Sequence, residues 1–268
     1  MAKHGIVIDL NKCIRCRTCM VACKIQNNIP PKARDRGEHY RMRPVEWEEG
    51  IYPQVRRIFI PVLCMHCDKP ACMESCPAEA ISKRPDGLVV INKEKCVACG
   101  TCNEACPYGV PFLMEKADKC DFCAAARLDR GEKEPYCARS CVGEAMIFGD
   151  LDNPASEVSK LVASGKAIAL CPEFGTGPHV YYIPPTWYRE QWLGLAKNKL
   201  FLQALEARKK DLAEPKESSF LPSKSDFETA ALLRSPLGAI AVGAIGLDYL
   251  AKRKEKVASE ETGRERPS

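Results

Sequence analysis

Sixteen of the seventeen cysteines in this 268-residue chain fall into four groups of four, and every group closes with the same C-x3-C step. The first group is Cys13, Cys16, Cys19 and Cys23, and the second is Cys64, Cys67, Cys72 and Cys76. The third is Cys96, Cys99, Cys102 and Cys106, and the fourth is Cys120, Cys123, Cys137 and Cys141. Only the gap between the second and third cysteine varies: two residues in the first and third groups, four in the second and thirteen in the fourth. Regular tetrads with one cysteine left over fit cofactor capture better than pairwise bridging, and a chain this long has no need of disulfides to replace a core. Its hydrophobic content of 46% is ordinary, but aromatic residues make up only 7%. Bound inorganic groups are therefore expected to fill part of the interior.

The run C-x2-C-x2-C-x3-C with Pro107 behind it is the bacterial ferredoxin signature, in which three close cysteines wrap one iron–sulfur cubane and the fourth ligates its neighbour. The groups are thus expected to work in pairs. Structural zinc sites use two C-x2-C knuckles separated by a longer span, which is a different pattern. The formal charge of +5 carries no nucleic-acid inference. Each thiolate-ligated cluster contributes about −2, so four would add roughly −8 and leave the loaded protein mildly acidic. Between the second and third groups, Pro77–Ile81 reads as a helical turn, and Ser82–Ile91 as a hairpin turning at Pro85-Asp86-Gly87. Gly143–Asp150 repeats that grammar after the fourth group, which marks an internal repeat.

On these residues the chain resembles the four-cluster ferredoxin-like iron–sulfur subunits of molybdopterin oxidoreductases. That family includes subunits of dimethyl sulfoxide, polysulfide, thiosulfate, tetrathionate and arsenate reductases and of formate dehydrogenases. The resemblance covers roughly residues 5–185. Its markers are the enlarged gap of group two, the long gap of group four, and Phe148-Gly149-Asp150-Leu151-Asp152-Asn153-Pro154 before a helix at Ser156–Ala163. It implies an α+β fold of tandem ferredoxin-like units with crossed ligation and a C-terminal helical tail. The first unit takes residues 1–60 and 107–190 (groups one and four), and the second takes 61–106 (groups two and three). The resemblance assigns Cys13, Cys16, Cys19 and Cys141 to one [4Fe–4S] cluster and Cys23, Cys120, Cys123 and Cys137 to a second. It assigns Cys64, Cys67, Cys72 and Cys106 to a third, and Cys76, Cys96, Cys99 and Cys102 to a fourth. Every expected ligand is present, so four [4Fe–4S] clusters are expected. Proline follows Cys76 and Cys106, but Lys24 and Val142 follow Cys23 and Cys141.

Such clusters pass electrons singly and need no substrate site. The sequence shows no nucleophilic triad and no glycine-rich nucleotide loop, so no active site of its own is expected. The resemblance implies a molybdenum or tungsten bis-pterin catalytic subunit at one end and an integral membrane quinone- or haem-bearing subunit at the other, in an anaerobic respiratory complex. Lys12, Arg15, Arg17, Lys95 and Lys119 stand beside ligand cysteines, where each either raises a potential or is a solvated surface charge. His66 is expected to pack or hydrogen-bond, and Cys171 to be a buried small residue.

From about Gly194 the composition shifts to a charged helix at Leu200–Lys210 and a polar linker, so that 191–229 reads as helix and linker. Residues 230–251 form the one membrane-like stretch, with Arg234 and Asp248 near its ends and Gly238, Gly243 and Gly246 suited to close helix packing. The stretch reads as a membrane-spanning or membrane-embedded helix or, alternatively, as a soluble helix docked on a partner; if it spans, Lys252, Arg253, Lys254 and Lys256 beyond it favour a cytoplasmic C-terminus and place the clusters on the outer, periplasmic face. The remainder, 252–268, reads as a charged tail. No apolar leader precedes Cys13. The competing reading is a free-standing soluble polyferredoxin, which has no use for an apolar helix.

Overall fold

A computed structural model describes residues 2–29 and 39–213. The anchor expected at 230–251, the tail at 252–268 and most of the linker lie outside the described residues. The described residues all belong to one compact unit running from Met1 to Lys216.

The unit is mixed α and β. Its strands are β1 (His4–Asp9), β2 (Met42–Glu49), β3 (Arg56–Leu63), β4 (Ile81–Lys83), β5 (Val89–Ile91), β6 (Phe112–Leu113), β7 (Ala117–Asp118), β8 (Met146–Asp150), β9 (Ile168–Ala169) and β10 (Val180–Ile183). Its helices are α1 (Thr18–Gln26), α2 (Ala71–Glu74), α3 (Thr101–Ala105), α4 (Tyr136–Arg139), α5 (Glu157–Ala163), α6 (Arg189–Trp192) and α7 (Lys199–Ala213).

The continuous apolar run Ile6-Val7-Ile8 has no alternation because β1 is central and buried on both faces. It pairs antiparallel with β8 (Ile6 opposite Phe148) and parallel with β10 (Ile6 opposite Val180) in a four-stranded sheet ordered β8-β1-β10-β9. Val7 meets Val158 of α5 on one face, while Ile6 and Ile8 join the main core on the other. Gly5 and Gly149 stand opposite each other in this sheet. A Cβ on Gly5 would come within 2.8 Å of the Leu151 side chain and of the His179 carbonyl, so this edge requires glycine.

Three antiparallel hairpins complete the β structure: β2–β3, β4–β5 and β6–β7. The hairpin expected at 82–91 is β4–β5, and Gly87 closes its turn at φ 83° with its N–H donating to the Arg84 carbonyl at 3.0 Å. The helical turn expected at Pro77–Ile81 does not form. Glu79 is left-handed (φ 47°) and Pro77 has no N–H to continue α2, so the chain makes a tight turn and enters β4. The helix expected at Ser156–Ala163 is α5, for which Ser156 is the extended N-cap.

The helix expected at Leu200–Lys210 is α7, and it is part of the core. Phe201 and Leu205 are buried, and Phe201 packs edge-on against Trp47 of β2 with ring centroids 5.8 Å apart. The β2–β3 hairpin in turn meets the sheet through Tyr182, whose hydroxyl donates to the Pro61 carbonyl at 2.8 Å. α1 packs on α4 and α2 on α3. That arrangement places cysteine group one beside group four and group two beside group three.

Candidate metal centres

The four groups share one local design. In each C-x2-C step the residue before the second cysteine is left-handed: Arg15 (φ 61°), His66 (46°), Ala98 (56°) and Phe122 (52°). None is glycine, and the conformation costs each of them roughly 1–2 kcal/mol. Its recurrence in all four segments means that each group presents its first two cysteines on the same backbone turn. The third cysteine of every group is the second residue of a helix: Cys19 in α1, Cys72 in α2, Cys102 in α3 and Cys137 in α4. The fourth cysteine then lies one helical turn on.

The first and third groups also begin alike. The strand leads into Asp9 (the last residue of β1) or Asn92 (the residue after β5), whose side-chain oxygen accepts backbone N–H groups two to three residues on, and whose carbonyl accepts from the N–H of Cys13 (3.1 Å) or Cys96 (3.2 Å). After the last cysteine, Glu79, Gly109 and Glu144 each turn left-handed. The N–H of Ala80 then donates to Cys76 Sγ and that of Ala145 to Cys141 Sγ, both at 3.3 Å. Val142 therefore supports the same turn as Pro77. Only α1 runs on past its last cysteine, through Lys24 to Gln26, and there the Asn27 side chain donates to Cys23 Sγ at 3.6 Å.

None of the seventeen cysteines is in a disulfide. Their mutual electrostatics show which ones face each other. Burial pushes the Cys19 thiol up to about 12, helped by Cys13, Cys141 and Cys16. Burial raises Cys120 strongly, with Cys23, Cys137 and Cys123 adding to it. Cys72 is pushed up to about 12 by burial and by Cys64, Cys106 and Cys67. Cys102 is pushed up to about 11 by burial and by Cys96, Cys99 and Cys76. The fold thus brings together Cys13, Cys16, Cys19 and Cys141; Cys23, Cys120, Cys123 and Cys137; Cys64, Cys67, Cys72 and Cys106; and Cys76, Cys96, Cys99 and Cys102. Cys19 also reaches Cys137, so the first two sets adjoin.

Among the described residues, no three His, Cys, Asp or Glu side chains converge closely enough to hold a single metal ion. A cubane asks for something else, since each of its four thiolates binds a different iron. The set of Cys76, Cys96, Cys99 and Cys102 lines one cavity with the small or aliphatic side chains of Ala78, Ala80, Ile81, Ile91 and Ala117. Four thiols around an apolar cavity fit an iron–sulfur cluster.

Of the basic residues singled out in the sequence, Lys12, Arg15, Arg17 and Lys95 are exposed, and Arg17 is paired with Glu46 at 2.6 Å. Lys119 is buried, and its ammonium donates to the carbonyls of Val89 and Cys120. His66 is fully buried, accepts the Val89 N–H on Nδ1 at 3.0 Å and packs 4.0 Å from the Phe122 ring. Cys171 is buried, as expected.

Sequence reasoning missed Arg41. It donates to both carboxylate oxygens of Asp118, to Asp121 Oδ1 and to Asn27 Oδ1, and so ties α1 to β7 and to the loop carrying Cys120. No motif marks it, because its four acceptors lie at three separate places in the chain.

Residues 55–151 match the 4Fe-4S dicluster domain family. The chain is 40% identical over 187 residues to a tetrathionate reductase subunit of Salmonella typhimurium, with 68% of this chain and 72% of that one covered. It is 34% identical over 230 residues to the arsenate respiratory reductase iron–sulfur subunit of Shewanella sp. strain ANA-3, covering 67% and 95%. Against a sulfite dehydrogenase subunit of Allochromatium vinosum it is 34% identical over 202 residues, covering 69% and 84%. The chain belongs to the family of ferredoxin-like iron–sulfur subunits of respiratory oxidoreductases. Its role is electron transfer through [4Fe–4S] clusters.

Proposed function

We propose that this chain relays electrons one at a time between a molybdenum- or tungsten-pterin catalytic subunit and a membrane partner carrying quinone or haem, through four [4Fe–4S] clusters. In this reading each facing set of four thiols holds one cluster. Ligation is crossed: Cys141 completes the set of group one, Cys23 that of group four, Cys106 that of group two and Cys76 that of group three. Residues 1–60 with 107–190, and 61–106, then act as two ferredoxin-like units. Bound clusters supply one-electron chemistry with charge spread over four irons.

The observation that carries this reading is the distribution of exposure among the sets. Cys16 and Cys99 are exposed, whereas Cys23, Cys120, Cys123 and Cys137 are all buried; the third set has Cys64 and Cys72 buried and no exposed member, and the fourth has Cys96 and Cys102 buried beside the exposed Cys99. The exposed cysteines have exposed apolar neighbours, Ile14 beside one and Val97 beside the other. Two accessible sites joined through two sheltered ones describe a conductor with a contact for a partner at each end. The rest of the protein buries most thiols of the middle sets, and backbone N–H groups of Ala80, Phe122 and Ala145 donate to Cys76, Cys120 and Cys141.

Among the described residues no helix is long and apolar enough to cross a membrane. Membrane attachment on the outer face rests on residues 230–251 and on the basic residues from Lys252 to Lys256. It is tested by extracting the complex with carbonate and by protease access to the C-terminus in intact cells and inverted vesicles.

The decisive experiment is anaerobic purification from the native host in mild detergent, with iron, molybdenum, tungsten and co-purifying chains measured together. About sixteen irons per chain alongside a pterin-containing partner and a membrane subunit are expected. The same iron on a lone chain would make it a soluble polyferredoxin, and zinc in place of iron would overturn the cluster assignment. For the crossed sets, Cys141→Ser and Cys16→Ser should perturb one and the same electron paramagnetic resonance signal, and Cys137→Ser another.

A further inference from the structure

We propose that the Lys119 ammonium is a fixed counter-charge at the seam between the second and third thiol sets, and that it holds the reduction potential of the Cys64, Cys67, Cys72 and Cys106 site above the value the same site would have without it. The inference rests on the ligand sets proposed above and adds a residue that tunes one of them.

Lys119 is 3% exposed, yet none of the ion pairs among the described residues includes it. Its neighbour Asp118 is taken by Arg41 and Lys93 instead. Among the described residues the ammonium donates to carbonyls alone, those of Val89 and of Cys120, the latter at 3.1 Å. Burying an ammonium without an anion is unfavourable unless another negative charge stands nearby. Thiolates are the negative charges this part of the fold is built to hold.

The geometry points the charge across a boundary. Lys119 precedes Cys120, of the second set, but its acceptor Val89 is bonded through its own N–H to His66, which lies between Cys64 and Cys67 of the third. The His66 ring packs on Phe122, which lies between Cys120 and Cys123. His66, Val89, Phe122 and Lys119 therefore form one buried seam between the two sets.

Uptake of one electron makes a thiolate-ligated cluster more negative by one charge and needs no proton. A fixed positive charge in a low-dielectric interior stabilises the reduced form more than the oxidised one, and so raises the potential. Lys119 is a positioning residue in this sense. It need not touch a cluster or change its own protonation.

The test uses the intact complex carrying Lys119→Gln, which keeps a hydrogen-bond donor without the charge, and Lys119→Arg, which keeps both. Midpoint potentials are read by redox titration followed by electron paramagnetic resonance, with the third-set signal identified through Cys72→Ser. The glutamine variant should lower the potential of that signal most, lower that of the Cys120 set less, and leave the other two in place. The arginine variant should stay near the native values. Unchanged potentials in the glutamine variant, an equal shift of all signals, or an arginine variant that moves as far as glutamine would each overturn the proposal. Should glutamine cost iron, loss of the third-set signal with full retention in the arginine variant supports the charge, and loss from both variants assigns Lys119 a purely steric role. A wrong ligand assignment shows separately: Cys72→Ser and Cys106→Ser would then perturb different signals in a chain with Lys119 intact.

Discussion

Arg41 holds Asp118 by two hydrogen bonds, Nε to Oδ2 at 2.8 Å and Nη2 to Oδ1 at 3.0 Å, in a place where both side chains are nearly out of solvent. Asp118 stays ionised there because the guanidinium and Lys93 outweigh the burial that would otherwise protonate it. The Asp118→Asn variant leaves a buried guanidinium short of one partner. We expect it to lose about 3 kcal/mol and to unfold roughly 6–12 °C lower than the native chain. Differential scanning calorimetry of the loaded protein checks this, and an unchanged midpoint would show that the pair merely offsets its own desolvation.

His179 gives a pH dependence with a definite sign. The ring is buried and its pKa is lowered, with burial the main cause and the Asp68 carboxylate at 2.8 Å acting the other way. A histidine in the unfolded chain titrates near 6.5. Below that pH the unfolded chain binds more protons than the folded one, so the contribution of the neutral ring is complete above about pH 6.5 and is lost as pH falls toward the lowered folded value. The slope from this one group reaches at most about 1.4 kcal/mol per pH unit. Denaturation between pH 5 and 7.5 should show a shallower dependence for His179→Gln, and equal slopes would assign the dependence to other groups.

Cys16 and Cys99 are the two exposed thiols, and hydrogen bonding from Thr18 and Thr101, two residues on in each case, lowers their pKa while most of the others are raised by burial. The thiolate is the reactive form. When a chelator strips iron in the presence of iodoacetamide, these two positions should label first, ahead of Cys120 and Cys137. Peptide mass spectrometry over time reads the order. Uniform labelling would mean that the chain opens globally before any single site loses metal.

Cys171 is buried, left-handed at φ 47° and followed by Pro172, and none of the four thiol sets reaches it. Cys171→Ala should leave the iron content unchanged and cost roughly 1 kcal/mol. Loss of iron would make it a seventeenth ligand.

The sequence made the sites far more legible than the frame that holds them. Spacing alone located the four cysteine groups and their common C-x3-C step, whose third cysteine is the second residue of a helix in every group, as Cys19 is in α1. The hairpin at β4–β5 was legible from its turn chemistry. The β2–β3 hairpin was not, since Pro44 and Pro61 stand opposite each other inside its strands, and proline argues against a strand when a sequence is read alone. Nor does any local signal pair β1 with β10, because parallel neighbours leave no turn between them. Lys119 looked like its four exposed counterparts, and only its carbonyl acceptors, the nearer in space lying back at Val89, separate it from them.

β1 comes first in chain order among the described strands, and its neighbours are β8 and β10, reached only at residues 146–150 and 180–183. At about 5–20 residues per second, the nascent chain carries Ile6-Val7-Ile8 for roughly 7–28 seconds before either flank exists. Closing such long loops has an entropic cost with no early contact to offset it. The segment that ends as the most sheltered strand is therefore the one exposed longest during biogenesis, with both hydrogen-bonding edges open to the wrong partner. Closing of this sheet, and with it the final packing around cysteine groups one and four, is consequently coupled to the arrival of residues 146–183, whereas groups two and three are complete in sequence by Cys106.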